Sequence, residues 1–287
     1  MIDDPFVAHR GLLFTVAYEM LGSAVDAEDV VQETWLRWTG ADRAEVRDPR
    51  AYLVRIVARQ AMNRLRSVSR RREEYVGEWL PEPLLTTPDV ADDVELAENV
   101  SIAMLTVLET LGPAERAVFV LHEVFETPYD EIAEVLDKTS AAVRQIAHRA
   151  RQHVAARRPR MQVDRAQQKA TLEKFMAAIS SGDMQGLLEV LAPDVVLIAD
   201  GGGLVRAARK PITGVDSVAA FLVRLGELPD LVATTAWLNG MPGARVDVDG
   251  EATAVSLVVE DGRITQIYAI RNPQKLIGLG EVAELRR

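Results

Sequence analysis

The sequence predicts two all-α helical domains, the second carrying a helix-turn-helix, followed by an α+β domain. Three observations predict this. Apolar residues recur at helical spacing from Leu12 to Leu65 and again from Val118 to Val154. Within the second of these stretches, two short helical patterns are joined by the tight turn Asp137-Lys138-Thr139. From Ala166 the pattern becomes two helices, a strand, another helix and then alternating segments with a hairpin turn, an α+β order. The chain has 287 residues, room for two domains or three small ones.

The elements follow in order. Leu12, Leu13, Val16, Ala17, Met20 and Leu21 form one helical stripe that ends at Gly22-Ser23. Asp26, with Asp29 three residues on, reads as the N-cap of a second helix that buries Val30, Val31, Thr34, Trp35 and Trp38. Its opposite face carries Asp29, Gln32, Glu33 and Arg37. Asp48-Pro49 opens a third helix by cap and first-turn proline. Tyr52, Leu53, Ile56, Val57 and Leu65 form its apolar side. Arg55, Arg59, Asn63, Arg66 and Arg70 form a polar stripe at steps of four, four, three and four.

The net charge of −10 is unevenly spread. Pro49 to Arg72 holds eight Arg and no acid; Glu73 to Glu98 holds nine acids and no base. Lys138 to Arg165 holds seven Arg and one Lys against a single acid, Asp164. Two basic blocks in an acidic chain are two footprints for a polyanion. The absence of cysteine excludes disulfides, thiolate metal sites and Cys nucleophiles and suits a reducing cytosol. No run approaches the ~18 apolar residues of a membrane span, and Met1-Ile2-Asp3-Asp4-Pro5 lacks the order of a signal peptide. His148 and His153 have no thiol or suitably spaced carboxylate, so no metal site and no cofactor is expected.

Asp26-Ala-Glu-Asp-Val-Val-Gln-Glu-Thr-Trp-Leu-Arg-Trp38 resembles the core-polymerase-binding helix of bacterial sigma factors, of the compact extracytoplasmic-function group. Asp48-Pro-Arg-Ala-Tyr-Leu53 resembles the start of the next helix in that family. The resemblance implies that Asp29, Val30, Val31, Gln32, Glu33 and Trp35 meet a coiled coil of the largest polymerase subunit. It also implies that Arg55, Arg59, Asn63, Arg66 and Arg70, with the loop from about Thr39 to Asp48, open and hold the −10 strand of promoter DNA. Phosphate neutralisation and a pocket for a flipped base suit that task.

The second basic block reads as a helix-turn-helix. Thr127-Pro128 caps its first helix, with Ile132, Ala133 and Leu136 inward. Ser140 caps the second, with Val143, Ile146, Ala147, Ala150 and Val154 inward. Ala141, Arg144, Gln145, His148, Arg149 and Gln152 face outward. Arg144 and Gln145 suit base edges; Arg149 and Arg151 suit phosphate. The block is similar to the family's −35-binding domain. Asp137 stands where a turn glycine is common, and Asp tolerates the left-handed conformation.

Residues 73–98 are acidic and carry Pro81, Pro83 and Pro88, which reads as an extended linker. The apolar Trp79-Leu80-Pro81-Glu82-Pro83 within it is expected to dock. The third block reads as helices to about Ser181 and from Gly182-Asp183, then strands at 195–199, 231–238, 244–248, 252–259 and 263–271, with a helix from Gly214 to Leu228. Asp261-Gly262 is a hairpin turn. This order, read as helices and a curved antiparallel sheet, resembles the SnoaL-like, cone-shaped domains of the ketosteroid-isomerase fold carried by sigma factors of the J type. Asp200-Gly201-Gly202-Gly203 and Trp79–Pro83 match that group's motifs, with Leu204 where a base is common. Asn272-Pro273-Gln274-Lys275-Leu276 matches at four of five positions.

The expected boundaries are 1–72 for sigma region 2, 73–94 for the linker, 95–158 for region 4 and 166–287 for the SnoaL-like domain. The third block has no His, and Asp200 and Tyr268 are an unpromising acid–base pair, so catalysis is not expected. The reading is a cytoplasmic sigma factor whose partners are core RNA polymerase and promoter DNA, with no membrane partner. A small ligand could occupy the cone. Three segments, 79–83, 200–203 and 272–276, are expected to meet and regulate the spacing of the DNA-binding domains. The alternative is a DNA-binding regulator fused to a small-molecule-binding or isomerase-like domain.

Overall fold

In the computed structural model the structure describes residues 4–43, 46–158, 165–228 and 230–286. The chain divides into two compact units. One combines residues 1–74, 104–158 and 284–287; the other combines 75–103 and 159–283.

The first unit opens with α1 (Pro5–Leu21), α2 (Ala24–Thr39) and α3 (Pro49–Glu73). Every residue of α1 from Leu12 to Leu21 is buried, including Glu19. It is thus the central helix, covered on more sides than a single stripe requires. Gly22 ends it at φ 67°, its N–H closing on the Tyr18 carbonyl at 2.7 Å. The second helix starts earlier than its sequence suggests. Ser23 is the N-cap, its side chain accepting from the Asp26 N–H, and Asp26 lies in the first turn. The serine hydroxyl reaches that N–H three residues on, which frees the Asp26 carboxylate to bind Arg64. Asp48 does cap α3, accepting from the Ala51 N–H at 3.0 Å.

Three short helices follow in sequence: α4 (Pro88–Asp92) and α5 (Val94–Val100), both in the second unit, and α6 (Ile102–Glu109), most of which returns to the first. Beyond them α7 (Pro113–Phe119) runs into a π-helical turn at Val120–Val124, and α8 (Tyr129–Leu136) and α9 (Ser140–Ala155) complete the unit. Asp137 sits at φ 53°, ψ 54°, the left-handed state its short polar side chain tolerates. The cap of α9 is Thr139, one residue before the expected Ser140; its side chain accepts from the Ala142 N–H. Ser140 is the first helical residue and donates to Asp130 of α8. Val143, Ile146, Ala147, Ala150 and Val154 are all buried, as the spacing predicts.

One buried ion ties this unit together. The Arg116 guanidinium in α7 is 1% exposed. It donates to the Glu19 carbonyl of α1 (3.0 Å) and pairs with Glu109 of α6 (2.7 Å). Burial pushes its pKa down to about 9, against the pull of nearby Glu19.

In the second unit, α10 (Arg165–Ser181), α11 (Met184–Val190) and α12 (Val215–Gly226) lie on one face of a six-stranded sheet. Its strands are β1 (Leu191–Asp200), β2 (Ile212–Thr213), β3 (Val232–Leu238), β4 (Met241–Val248), β5 (Glu251–Glu260) and β6 (Arg263–Ile270), in the order β2-β1-β6-β5-β4-β3. All pairs are antiparallel except β1 with β6, which run parallel. The sheet is therefore mixed rather than wholly antiparallel. The meander β3 to β6 brings its last strand back beside β1 in the same direction. Three two-residue hairpin turns set this meander: Asn239-Gly240, Asp249-Gly250 and Asp261-Gly262, each with both residues at positive φ.

The inner strands of the sheet are buried on both faces, whereas the edge strand β3 is largely exposed from Val232 to Thr235. Leu197, Ala199, Ala244, Val246, Val255 and Ile267 point toward Leu172, Phe175, Leu187 and Leu222 of the helices. Ala254, Val258, Tyr268 and Ile270 point the other way, toward Leu80, Ile102 and Leu279. Both-face burial explains why β1 and β5 read as near-continuous apolar runs instead of clean alternation. The acidic segment supplies much of the second cover. Pro81 to Leu84 are buried, and Leu85 bridges Leu238 and Val282. Asn239 accepts from the Leu84 N–H and donates to the Val100 carbonyl, both at 2.9 Å.

Candidate functional site

Four groups of residues carry the functional reading. The first is the polar face of α2. Gln32 and Glu33 are exposed and Asp29 is half-buried, whereas Val30 and Val31 are each 2% exposed and belong to the core. Trp35 is half-buried against Phe6, with ring centroids 4.9 Å apart. The face thus consists of Asp29, Gln32, Glu33 and the 69%-exposed Leu36, a residue the charge pattern did not single out. Arg64 of α3 orders it, donating to Asp26 (2.7 Å) and to Asp29 (2.9 Å). These carboxylates raise the Arg64 pKa.

The second group is the arginine stripe on α3. Arg55, Arg59, Asn63 and Arg66 are exposed along one side. The side chain of Arg70 lies outside the described residues, as do residues 44 and 45 of the preceding loop. The stripe is not wholly open. Arg55 pairs with the Glu134 carboxylate of α8 at 2.9 Å, and Arg59 donates to the Glu134 carbonyl at 3.0 Å. At the loop, Trp38 donates its indole N–H to Asp4 (2.9 Å), and Arg43 pairs with Asp4 (3.1 Å) while lying 4.9 Å from the Trp38 ring.

The third group is α9. Ala141, Arg144, Gln145, His148, Arg149 and Gln152 are all exposed, and Ser140 is half-buried. Arg144 and Gln145 meet no protein partner among the described residues and are free to reach a base edge. The remaining cations are engaged. Arg149 pairs with Glu115 (3.3 Å), as does His153 (3.2 Å). Arg151 pairs with Glu123 (2.8 Å) and Tyr129 (3.3 Å), contacts that raise its pKa.

The fourth group joins the three motifs of the second unit in one buried cluster. Asp200 ends β1 and is 0% exposed. Its Oδ1 accepts from the Tyr75 hydroxyl (2.6 Å) and the Gly202 N–H (3.0 Å). Its Oδ2 accepts from the Leu80 N–H (2.9 Å) and the Lys275 ammonium (2.7 Å). Its carbonyl accepts from the N–H groups of Arg271 and Asn272. The ammonium also donates to the Leu80 carbonyl and lies 3.3 Å from the centroid of the Trp79 ring. A buried charge held by this many partners is satisfied. Asn272 donates to the Tyr75 hydroxyl (2.7 Å). Gly202 sits at φ +61°, and a Cβ there would fall 2.3 Å from the Asn272 amide, so only glycine fits. Pro273 and Gln274 are exposed and Leu276 half-buried, so Gln274, the position that departs from the group's motif by standing in place of an acid, leaves the cluster untouched.

Sequence reasoning missed Tyr75. Its position four residues before Trp79 was the available signal, and the rings meet edge-to-face at 4.6 Å. Burial, then the hydrogen bond to Asp200, pushes its pKa far above the ordinary tyrosine value. Tyr268, the imagined partner of Asp200, donates instead to Gln266. Among the described residues no group of His, Asp or Glu could hold a metal, and no helix is long and apolar enough to cross a membrane.

The first unit carries an arginine-lined helix and a helix-turn-helix, and the second unit carries a mixed six-stranded sheet, the elements expected of a sigma-type initiation factor. Residues 6–71 match the family model Sigma-70 region 2, and residues 101–154 match Sigma-70, region 4. The chain is 38% identical to the ECF RNA polymerase sigma factor SigJ of Mycobacterium tuberculosis, over 95% of this chain and 92% of that protein. It is 35% identical to the probable sigma factor SigI of the same species, over 94% and 92%. The crystal structure of M. tuberculosis SigJ superposes with a TM-score of 0.77 at 36% identity, covering 95% of this chain and 97% of that one. The chain belongs to the extracytoplasmic-function RNA polymerase sigma factors.

Proposed function

We propose that the chain binds core RNA polymerase through Asp29, Gln32, Glu33 and Leu36 of α2. On this reading it holds the −10 strand with the α3 arginines and reads the −35 element with Arg144 and Gln145. The supporting observation is the pairing of an open α2 face with an open recognition-helix face in one helical unit. Engagement of the −10 strand by Arg55 and Arg59 requires Glu134 to release them. Region 2 is assigned to 1–72, region 4 to 95–158 and the SnoaL-like domain to 166–287, with 73–94 as the regulated segment.

The Asp200–Lys275–Tyr75–Trp79 cluster is the regulatory element on this account. It fixes the acidic segment, and therefore the length of chain left to span the two DNA-binding regions. The protein works in the cytoplasm and performs no chemistry of its own; the Asp200 carboxylate is filled by the chain's own donors, which leaves it no role as a base. Reversal of Asp29 and Glu33 to Lys should abolish co-purification with core polymerase while the helical circular dichroism stays unchanged. Undiminished co-purification would overturn the α2 assignment.

A further inference from the structure

Next to the buried cluster, the segment after the glycine-rich turn forms a cleft of ≈ 170 Å³ that the regulatory reading does not use. Its walls are apolar and small, with Val76, Ala199, Ala207 and Ala208 among them. Arg206 and Arg209 also line it. Both are exposed and carry no ion pair among the described residues. The backbone N–H groups of Arg206, Ala207, Ala208 and Arg209 likewise meet no acceptor there. Behind them, Arg271 donates to the Arg206 carbonyl (2.6 Å) and pairs with Glu251 (2.9 Å), and its Nε is buried without a partner. Lys210 adds a further exposed cation. This loop concentrates positive charge in a protein whose net charge is −10.

Unpaired N–H donors, two free guanidinium groups and a small apolar floor are complementary to one chemistry. A carboxylate or phosphate takes the donors and the bidentate guanidinium forks. A short carbon chain takes the alanine and valine wall. The volume admits only a few heavy atoms beyond the charged group. We infer that this cleft binds a small organic anion, a short-chain carboxylate or a phosphate monoester. Val76 and Gly77 form part of the wall and lie between Tyr75 and Trp79. Occupancy therefore favours the docked form of the acidic segment, a coupling that rests on the regulatory reading above; the binding itself does not.

The test is calorimetric titration of the full chain with butyrate and with methyl phosphate, against sodium chloride of matched ionic strength. Saturable binding of either organic anion, weakened at least tenfold by Arg206→Gln with Arg209→Gln and by the cleft-filling Ala208→Leu, supports the site. Butyrate alone, or methyl phosphate alone, identifies which source of the charge is preferred. No saturable binding of either probe, or binding unchanged in these variants, overturns it. The coupling is read separately, as hydrogen exchange at the Leu80 amide. Binding without slower exchange there removes the coupling and leaves the site.

Discussion

Replacing Lys275 by Met isolates the energetics of the buried cluster. The ammonium is 4% exposed and lies 2.7 Å from an Asp200 carboxylate that is 0% exposed. Breaking a buried pair from one side costs ~3–5 kcal/mol because the surviving charge is left uncompensated. Here Asp200 keeps three donors, the Tyr75 hydroxyl and the Leu80 and Gly202 N–H groups. Their charge-assisted bonds offset part of that loss, leaving about 2–4 kcal/mol. At about 1.4 kcal/mol per tenfold, local opening becomes roughly 30- to 700-fold more frequent. The reporter is exchange of the Leu80 amide hydrogen, which is bonded to Asp200 itself. The control is the Val218 amide, bonded to the Gly214 carbonyl at the start of α12. Adding Asp200→Asn to Lys275→Met removes the orphaned charge and should restore most of the protection. Leu80 exchange within threefold of wild type, or an equal rise at Val218, would refute the reasoning.

Two further outcomes follow from the same geometry. Tyr75 has its pKa raised in the folded state, so its contribution is fully present below the ordinary tyrosine value near pH ~10 and is lost as pH rises through the higher folded value. Leu80 protection should therefore hold constant through neutrality and decline only in strong alkali, and Tyr75→Phe should flatten that decline. In α9, Arg144→Ala should cost ~1–3 kcal/mol at one promoter position without lowering the melting temperature. Arg151→Ala should lower the melting temperature slightly as well as weaken binding, since it also severs the Glu123 and Tyr129 contacts; equal behaviour of the two variants would misplace the recognition face.

What was legible in the sequence was whatever local chemistry decides. The left-handed turn at Asp137, the cap at Asp48 and the buried stripe of α9 all depend on residues within a turn of one another. The two cap shifts are local as well. At Ser23 and Thr139 a hydroxyl one to three residues upstream outcompeted the residue chosen, and several candidate caps in a row carry no signal to rank them. Contacts between distant segments were not legible. Nothing in the α3 pattern announces that Glu134 meets Arg55 and Arg59, or that Val30 and Val31 are spent on the core. The motifs at 79–83, 200–203 and 272–276 rest on family resemblance and their meeting on an apolar segment that must dock beside a glycine-rich loop, but Tyr75, which touches all three, lies just outside the motif. The parallel β1–β6 pair was hidden because a both-face apolar strand has no period from which to read direction.

The central claim is that this chain is a sigma factor whose acidic segment is held by its own C-terminal domain. Run-off transcription with purified core polymerase over a promoter library tests it most directly, comparing the full chain, the chain ending after Asp164, and Lys275→Met. The expected result is promoter-specific transcripts from the full chain, which core alone does not make. Activity should be impaired in the truncation and altered in Lys275→Met at unchanged −35 preference. No promoter-specific transcript from the full chain, or identical activity in all three proteins, would contradict the account.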